Sequence, residues 1–508
     1  MVKCAIVILC ASLVFVTTLG CNLRDYGNGG QVCVCTKDDC DTIPESTLSN
    51  SDSYEIYTSS LAGDRFERNN GTFEKSNSAS ANATLIINRN KKYQKIHGFG
   101  GAFTDSTGIN LLTLSNQTRQ TLIRAYFAHD GLQYSMGRIP MAGTDFSTRG
   151  YTYDDVDDDF ELKFFKLQIE DYDYKIPFIK EALKMTNNDM KLFGSAWTSP
   201  VWMKTNDRLS GIGFLNLSMY DVWAEYFIKF LDAYKDNGIK LWGLTTGNEP
   251  ANGFNGMLQI NDMGWVPLLQ AQWIAENLGP KIRLNPNYSD TKIMIVDDQR
   301  VYYPWIPRYI FQNEVTESYV DGCAVHYYTD KYVSADVLSI THYDYPDKFI
   351  LATEACEGSS AQQSVILGSW DRAENYLNSI IDDLNNWSTG WMDWNMALNL
   401  EGGPTYVNNF VDSPIIVNKT ADEFYKQPMY YALGHFAKFV RPDSVRVHSI
   451  YTGQGLKSVV FQQPAGTTVV SIFNPTDADV DITISDEKRK DVINLVIKKR
   501  SINSVLYI

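Results

Sequence analysis

The sequence predicts an α/β protein whose centre is a (β/α)8 barrel, with β-rich segments at both ends of the chain. Three observations carry this prediction. After residue 93, eight short apolar runs alternate with helical stretches, the order produced when parallel strands close into a barrel inside a ring of helices. Before residue 90 and after Tyr451 the runs are short, β-branched and separated by turn residues, as in a small sandwich. Two of the central runs end on a lone carboxylate, Glu249 and Glu354, and the carboxyl ends of barrel strands are where that fold places its chemistry.

In chain order, residues 1 to 20 read as a secretory signal. Lys3 supplies the positive start, Ala5 to Val16 the apolar stretch, and Thr18-Leu-Gly20 the small residues of a cleavage site. Cys21, Cys33, Cys35 and Cys40 follow at once, and in an exported chain they read as two disulfides. Zinc is a poorer reading, because Cys33-Val-Cys35 lacks a two-residue spacer and no His lies nearby. Cys323 and Cys356 fall in apolar runs and read as free thiols. Sequons at Asn70, Asn82, Asn116, Asn216, Asn287, Asn386 and Asn418 are glycan candidates for such a route.

From Ser49 to Arg89, Ser53 to Thr58 and Thr84 to Asn88 are strand-like. The expected barrel strands are Gln94 to Ala102, Tyr134 to Pro140, Lys191 to Thr198, Leu241 to Gly247, Lys292 to Val296, Val320 to Tyr327, Phe349 to Cys356 and Gly390 to Met396. The clearest helix is Asp221 to Asn237, with apolar residues at helical spacing and Gly238 as a stop. The terminal β-runs are Ser458 to Phe461, Thr468 to Ile472, Val480 to Ile484, Val492 to Ile497 and Val505 to Ile508; with the N-terminal runs they would complete one domain from both chain ends. A doubly wound sheet is the competing fold, and no convincing glycine-rich phosphate turn supports it.

Bulk properties remove several function classes. A net charge of -15 argues against a nucleic-acid partner. The six His residues include no HExxH pair, so no catalytic metal or other cofactor is expected. There is no G-x-S-x-G elbow before a helix for a serine nucleophile. Gly98-Phe-Gly-Gly101 lacks the Lys-Ser/Thr of a phosphate loop; its glycines are expected to let the first strand end tightly beneath a cleft.

The carboxylates remain. Leu241-Trp-Gly-Leu-Thr-Thr-Gly-Asn-Glu-Pro250 is a buried strand that stops on Asn248, Glu249 and Pro250, since Pro cannot continue a central strand. Phe349-Ile-Leu-Ala-Thr-Glu-Ala-Cys356 repeats the pattern with Glu354. Two carboxylates at one barrel mouth fit glycoside hydrolysis, in which their separation decides between retention and inversion. Arg138, Asp145, Trp197, His326-Tyr-Tyr328 and Asp393-Trp394-Asn395 cluster at other strand ends, where polar groups can bind sugar hydroxyls and a Trp can floor the ring.

Several motifs then carry a resemblance: Ser195-Ala-Trp-Thr-Ser-Pro200, Thr246-Gly-Asn-Glu-Pro250, Ala352-Thr-Glu-Ala-Cys356, Gly390-Trp-Met-Asp-Trp-Asn-Met-Ala-Leu-Asn399, Glu401-Gly-Gly-Pro404, Asn409-Phe-Val-Asp-Ser-Pro-Ile-Ile416 and Phe424-Tyr-Lys-Gln-Pro428. From Cys21 to the C-terminus the chain resembles the glucosylceramidases of glycoside hydrolase family 30. The resemblance implies a barrel over residues 94–395 plus 429–443, a β-sandwich-like domain over 49–93 plus 444–508, and a small disulfide-bearing sheet over 21–48 plus 396–428. It implies Cys21–Cys33 and Cys35–Cys40 bridges. It implies that Glu249 is the general acid/base, Glu354 the nucleophile, and Asn248 the residue holding the sugar near C2. Asp145, Trp197, Tyr328, Trp394 and Asn409 are then expected to line the sugar pocket. The implied reaction is retaining hydrolysis of a glucosylceramide. A glycosphingolipid substrate, contact with lysosomal membrane lipid, a saposin-type activator protein and a lysosomal destination, with a secreted form as the alternative, follow from the same resemblance.

There are departures. Tyr327 stands where the vertebrate pattern has Trp, which is expected to loosen the wall beside Tyr328. Thr36-Lys-Asp-Asp39 replaces an early sequon, and the loop Ala251 to Met263 diverges. Glu357 is not the family's residue: facing the cleft it would raise the pKa of Glu354, and otherwise it is a solvated rim group. Competing activities are a β-xylosidase, a galactosylceramide or steryl glucoside hydrolase, and a silent glycolipid-binding protein.

Overall fold

A computed structural model describes residues 20–75, 83–359 and 363–508. Residues 1–19 of the signal reading and the Asn82 sequon lie outside them. Eight parallel strands close a barrel in chain order: β1 (Gly98–Ala102), β2 (Met136–Met141), β3 (Lys191–Ala196), β4 (Gly243–Thr245), β5 (Lys292–Gln299), β6 (Gly322–His326), β7 (Phe349–Glu354) and β8 (Ser388–Asn395). Every expected run contributes a strand. The expected helix spans Tyr220–Asp236 and buries Trp223, Tyr226, Phe227, Phe230, Leu231 and Tyr234 on one face. Gly238 follows at φ 78°, a conformation that favours glycine at the end of a helix.

Two boundaries moved for physical reasons. Gln94 and Lys95 end a 13-residue strand, Ala83–Lys95, that belongs to another sheet, and β1 starts only at Gly98. The glycines of β1 do not end it; they sit within it. A Cβ on Gly100 would lie 1.9 Å from the carbonyl oxygen of Met136, so they let β1 and β2 approach closely. Strand β4 is short because Gly247 adopts φ 141°. Beyond that point the chain is pinned sideways, Asn248 N–H donating to Ala196 O at 2.8 Å and Glu249 N–H to Asp297 O at 2.8 Å.

Met136, Phe193, Met294, Ala324, Leu351 and Met392, from six different strands, form a fully buried cluster inside the barrel. Each large side chain there contributes about 1.5–3 kcal/mol by burial. The barrel is therefore a packed support for the strand ends above it, not a pore.

Strands from both chain ends share one ten-stranded sheet. Ala83–Lys95 pairs with Val445–Thr452 and Val480–Asp486, and Ser53–Ser60 pairs with Ser501–Tyr507. Ile56, Leu85, Val460, Val470, Ile484 and Ile493 meet in a single core, so the sheet folds over on itself. A five-stranded sheet orders Leu23–Asp25, Gln31–Cys35, Glu423–Lys426, Ile415–Asn418 and Ala397–Asn399. Cys21 is bonded to Cys33 and Cys35 to Cys40, while Cys323 and Cys356 are buried free thiols. Among the described residues no helix is long and apolar enough to cross a membrane.

Candidate active site

The ends of β4 and β7 bring Glu249 and Glu354 together. Glu249 has a left-handed backbone at φ 42° and caps the 3-10 turn Pro250–Phe254, so the chain reverses there and turns the carboxylate inward. Donor atoms of Glu249, His326 and Glu354 all lie within 4.8 Å of one another. That places the two carboxylates nearer the roughly 5–5.5 Å of retaining glycosidases than the roughly 6.5–9.5 Å of inverting ones.

Each glutamate is held by its own neighbours. Glu249 accepts from Asn252 Nδ2 at 2.7 Å, Gln299 Nε2 at 2.6 Å and His326 Nδ1 at 2.9 Å. Glu354 accepts from Arg138 Nη1, and from the Tyr328 hydroxyl at 2.8 Å. Burial pushes the pKa of Glu354 upward, against the pull of His326 and Arg138, and nearby Glu249 adds to the rise.

Beneath them lies a charge network with no exposure to solvent. Arg138 also donates to Asn248 Oδ1 and Asp297 Oδ2, each at 2.8 Å. Asp297 further accepts from Ser195, Thr245 and Thr353 hydroxyls, each at 2.7 Å. Burial opposes its ionisation, yet Arg138 and His326 hold it well below the usual carboxylate range. His326 places its second nitrogen 3.0 Å from Asp297 Oδ1. Burial disfavours an imidazolium, but Glu354, Asp297 and Glu249 raise its pKa to about 10. Both ring nitrogens are thus engaged by carboxylates, Nδ1 by Glu249 and Nε2 by Asp297. The other group of metal-type donors among the described residues, Cys35, Cys40 and Asp41, has its cysteines in a disulfide.

The sugar-wall candidates gather at the same end. Trp197 and Trp394 stack with centroids 5.0 Å apart, and the Arg138 guanidinium lies over both, 4.8 and 5.5 Å from the ring centres. Asn409 Nδ2 donates to Asp145 Oδ2 at 2.7 Å. Burial pushes Asp145 up to about 7 despite that bond, so in acid it is a neutral donor and acceptor suited to sugar hydroxyls.

Two of the departures, Tyr327 and Glu357, meet beside this wall. Tyr327 packs edge-on against Tyr328 and Tyr376, with centroids 6.0 and 5.9 Å away. Its hydroxyl donates to Glu357. Glu357 is half-buried and also accepts from Asn375 Nδ2 at 3.1 Å.

The barrel residues 96–440 match the glycosyl hydrolase family 30 TIM-barrel domain, and residues 443–505 match that family's beta sandwich domain. The chain belongs to glycosyl hydrolase family 30. It is 42% identical over 473 residues to the lysosomal acid glucosylceramidase of Mus musculus, covering 92% of this chain and 91% of that protein. Among solved structures, SrfJ from Salmonella typhimurium superposes with a TM-score of 0.83 at 25% identity, covering 90% of this chain and 99% of that one. An endo-β1,6-glucanase gives 0.80 at 26%, with the same coverage.

Within this family 30 site, Asp297, Asp298 and Gln299 had no place in the sequence reading. The expected strand stopped at Val296, but β5 runs to Gln299 with a bulge between Val296 and Asp298, and Asp297 has φ 47°. Carboxylates next to an apolar run were the available signal. Of the glycan candidates, Asn70, Asn116 and Asn287 are exposed. Asn386 instead uses its amide within the fold, accepting from Ser339 at 2.7 Å and donating to Asp382 O at 2.9 Å.

Proposed function

We propose that the chain is a retaining β-glucosidase that cleaves glucosylceramide to glucose and ceramide, with Glu354 as nucleophile and Glu249 as acid/base. The observation that carries this reading is the carboxylate pair within 4.8 Å, with Glu354 bound by the Arg138 that lies over the stacked tryptophans. Glu354 attacks the anomeric carbon as Glu249 gives its proton to the departing ceramide oxygen, leaving a glucosyl ester. Glu249 then takes a proton from water, which attacks the same carbon and frees Glu354. Arg138 and the Tyr328 hydroxyl hold the attacking carboxylate, and Asn248, which accepts from Arg138, binds the sugar near C2 in this reading.

The lipid half fits the surface that follows Glu249. Phe254, Met257, Val266 and Leu268 are 50, 88, 38 and 54% exposed, and between Pro250 and Ile274 the sole charged side chain is the buried Asp262. Such a face supports peripheral contact with membrane lipid. The 42% identity with a lysosomal acid glucosylceramidase supports a lysosomal destination; the secretory route and a saposin-type activator protein rest on the sequence reading. The test is the kinetics of Glu354→Gln on an activated aryl β-glucoside, with β-galactoside and β-xyloside alongside. Near-wild-type turnover by that variant would sink the assignment, and a preference for another sugar would redirect the substrate.

A further inference from the structure

A cavity of about 430 Å³ lies beside the active site, lined by Tyr327, Tyr328 and Cys356 but by neither catalytic glutamate. Its volume is in the roughly 300–1,000 Å³ range of small-molecule sites. Tyr327 and Glu357, two positions where the chain departs from the family pattern, meet in its wall and are bonded to each other.

The lining chemistry narrows the ligand. Its cations Arg300, Lys331 and Lys457 are matched in number by Asp330, Glu357 and Asp382, and most are already paired. Lys457 contacts Asp382 at 3.0 Å and Arg300 contacts Asp330 at 2.7 Å. A strongly charged guest would meet these pairs, and the two remaining charges, Lys331 and Glu357, are of opposite sign. What stands uncommitted is mainly acceptor capacity. Asp330 is not part of it: Oδ2 is taken by Ser379 and Arg300 and Oδ1 is buried away from the cavity. Glu357 spends only Oε1 on Tyr327 and Asn375. The amides of Asn375 and Asn378 donate, to Glu357 and to Glu374 O, which leaves their oxygens free. Convergent oxygen acceptors next to a tyrosine ring suit a neutral guest that donates from several hydroxyls.

We propose that this cavity is a second carbohydrate site, taking a neutral hexose alongside the catalytic pocket. Tyr328 connects the two, because it lines the cavity while its hydroxyl donates to Glu354. Occupancy therefore alters the setting of the nucleophile; this coupling rests on the catalytic reading above, whereas binding does not.

The test uses the full chain with Glu354 blocked by a cyclitol epoxide, titrated with methyl β-glucoside and followed by saturation-transfer NMR. The blocked wild-type protein is expected to retain millimolar binding. The double variant Glu357→Val/Asn378→Ala is expected to lose it by about tenfold or more, with unchanged epoxide labelling. Asn378→Ala alone, which removes a half-buried amide, guards against a folding defect and should weaken binding by a smaller factor. No saturation transfer to the blocked wild type, or equal binding by the double variant, would overturn the proposal. If the epoxide does not attach to Glu354, the catalytic reading fails instead. The second site is then judged on unblocked protein, where the double variant should bind one hexose fewer per chain.

Discussion

Glu354 and Glu249 stand on strand ends of the same barrel but keep different company. Glu354 touches Arg138, a permanent cation, and a tyrosine hydroxyl, and its side chain is only 7% exposed. Glu249 is 13% exposed and is held by two neutral amides and by His326. A carboxylate against a fixed guanidinium suits a group that must attack as an anion. The other, held by two amides and the His326 imidazolium at the more open side, is left as the group that gives and retakes a proton. The difference teaches that the division of labour lies in the supporting residues, not in the glutamates themselves.

Breaking the Glu354 side should cost most. Glu354→Gln should lower kcat by about 10⁴-fold or more, measured on an aryl β-glucoside. Glu249→Gln should cost about 10²–10⁴-fold on a glucoside with a poor leaving group and less on an activated one. There, added azide should raise the rate and yield β-glucosyl azide. Failure of azide to help would remove Glu249 from the acid/base role.

The fixed cation can be tested by pH. Burial already raises the pKa of Glu354, and a carboxyl with a raised pKa loses its anion at higher pH as acid is added. Arg138→Gln removes the partner that favours the anion, so the acid limb of kcat/KM should move to higher pH by about 1–3 units. An acid limb that stays in place, or moves to lower pH, would show that Arg138 does not tune the nucleophile. The smallest effect should come from the sugar wall. Asp145, raised to about 7, is mostly protonated in acid, so Asp145→Asn should change KM only a few-fold near pH 5, whereas Asp145→Ala should raise it about tenfold.

Much of this difference was legible before any coordinates. Alternating runs and helices pointed to the barrel, and the halts at Pro250 and after Glu354 pointed to the pair. Arg138 and His326 could be seen at strand ends, but not what they hold. Their roles depend on Asp297, which enters the site because β5 bulges and continues three residues past its apolar run. Periodicity carries no trace of a bulge. Nor could the Tyr327–Glu357 bond be read, since the two residues lie on neighbouring strand ends and each taken alone looked like a defect in the wall or the rim.

The most direct test of the account is to trap the covalent intermediate with a 2-deoxy-2-fluoro-β-glucosyl fluoride and map the labelled peptide by mass spectrometry. The account predicts one label per chain, on Glu354 in the segment from Phe349 to Cys356. A label on Glu249, or full turnover of the fluoride to the α-anomer with no trapped ester, would contradict it.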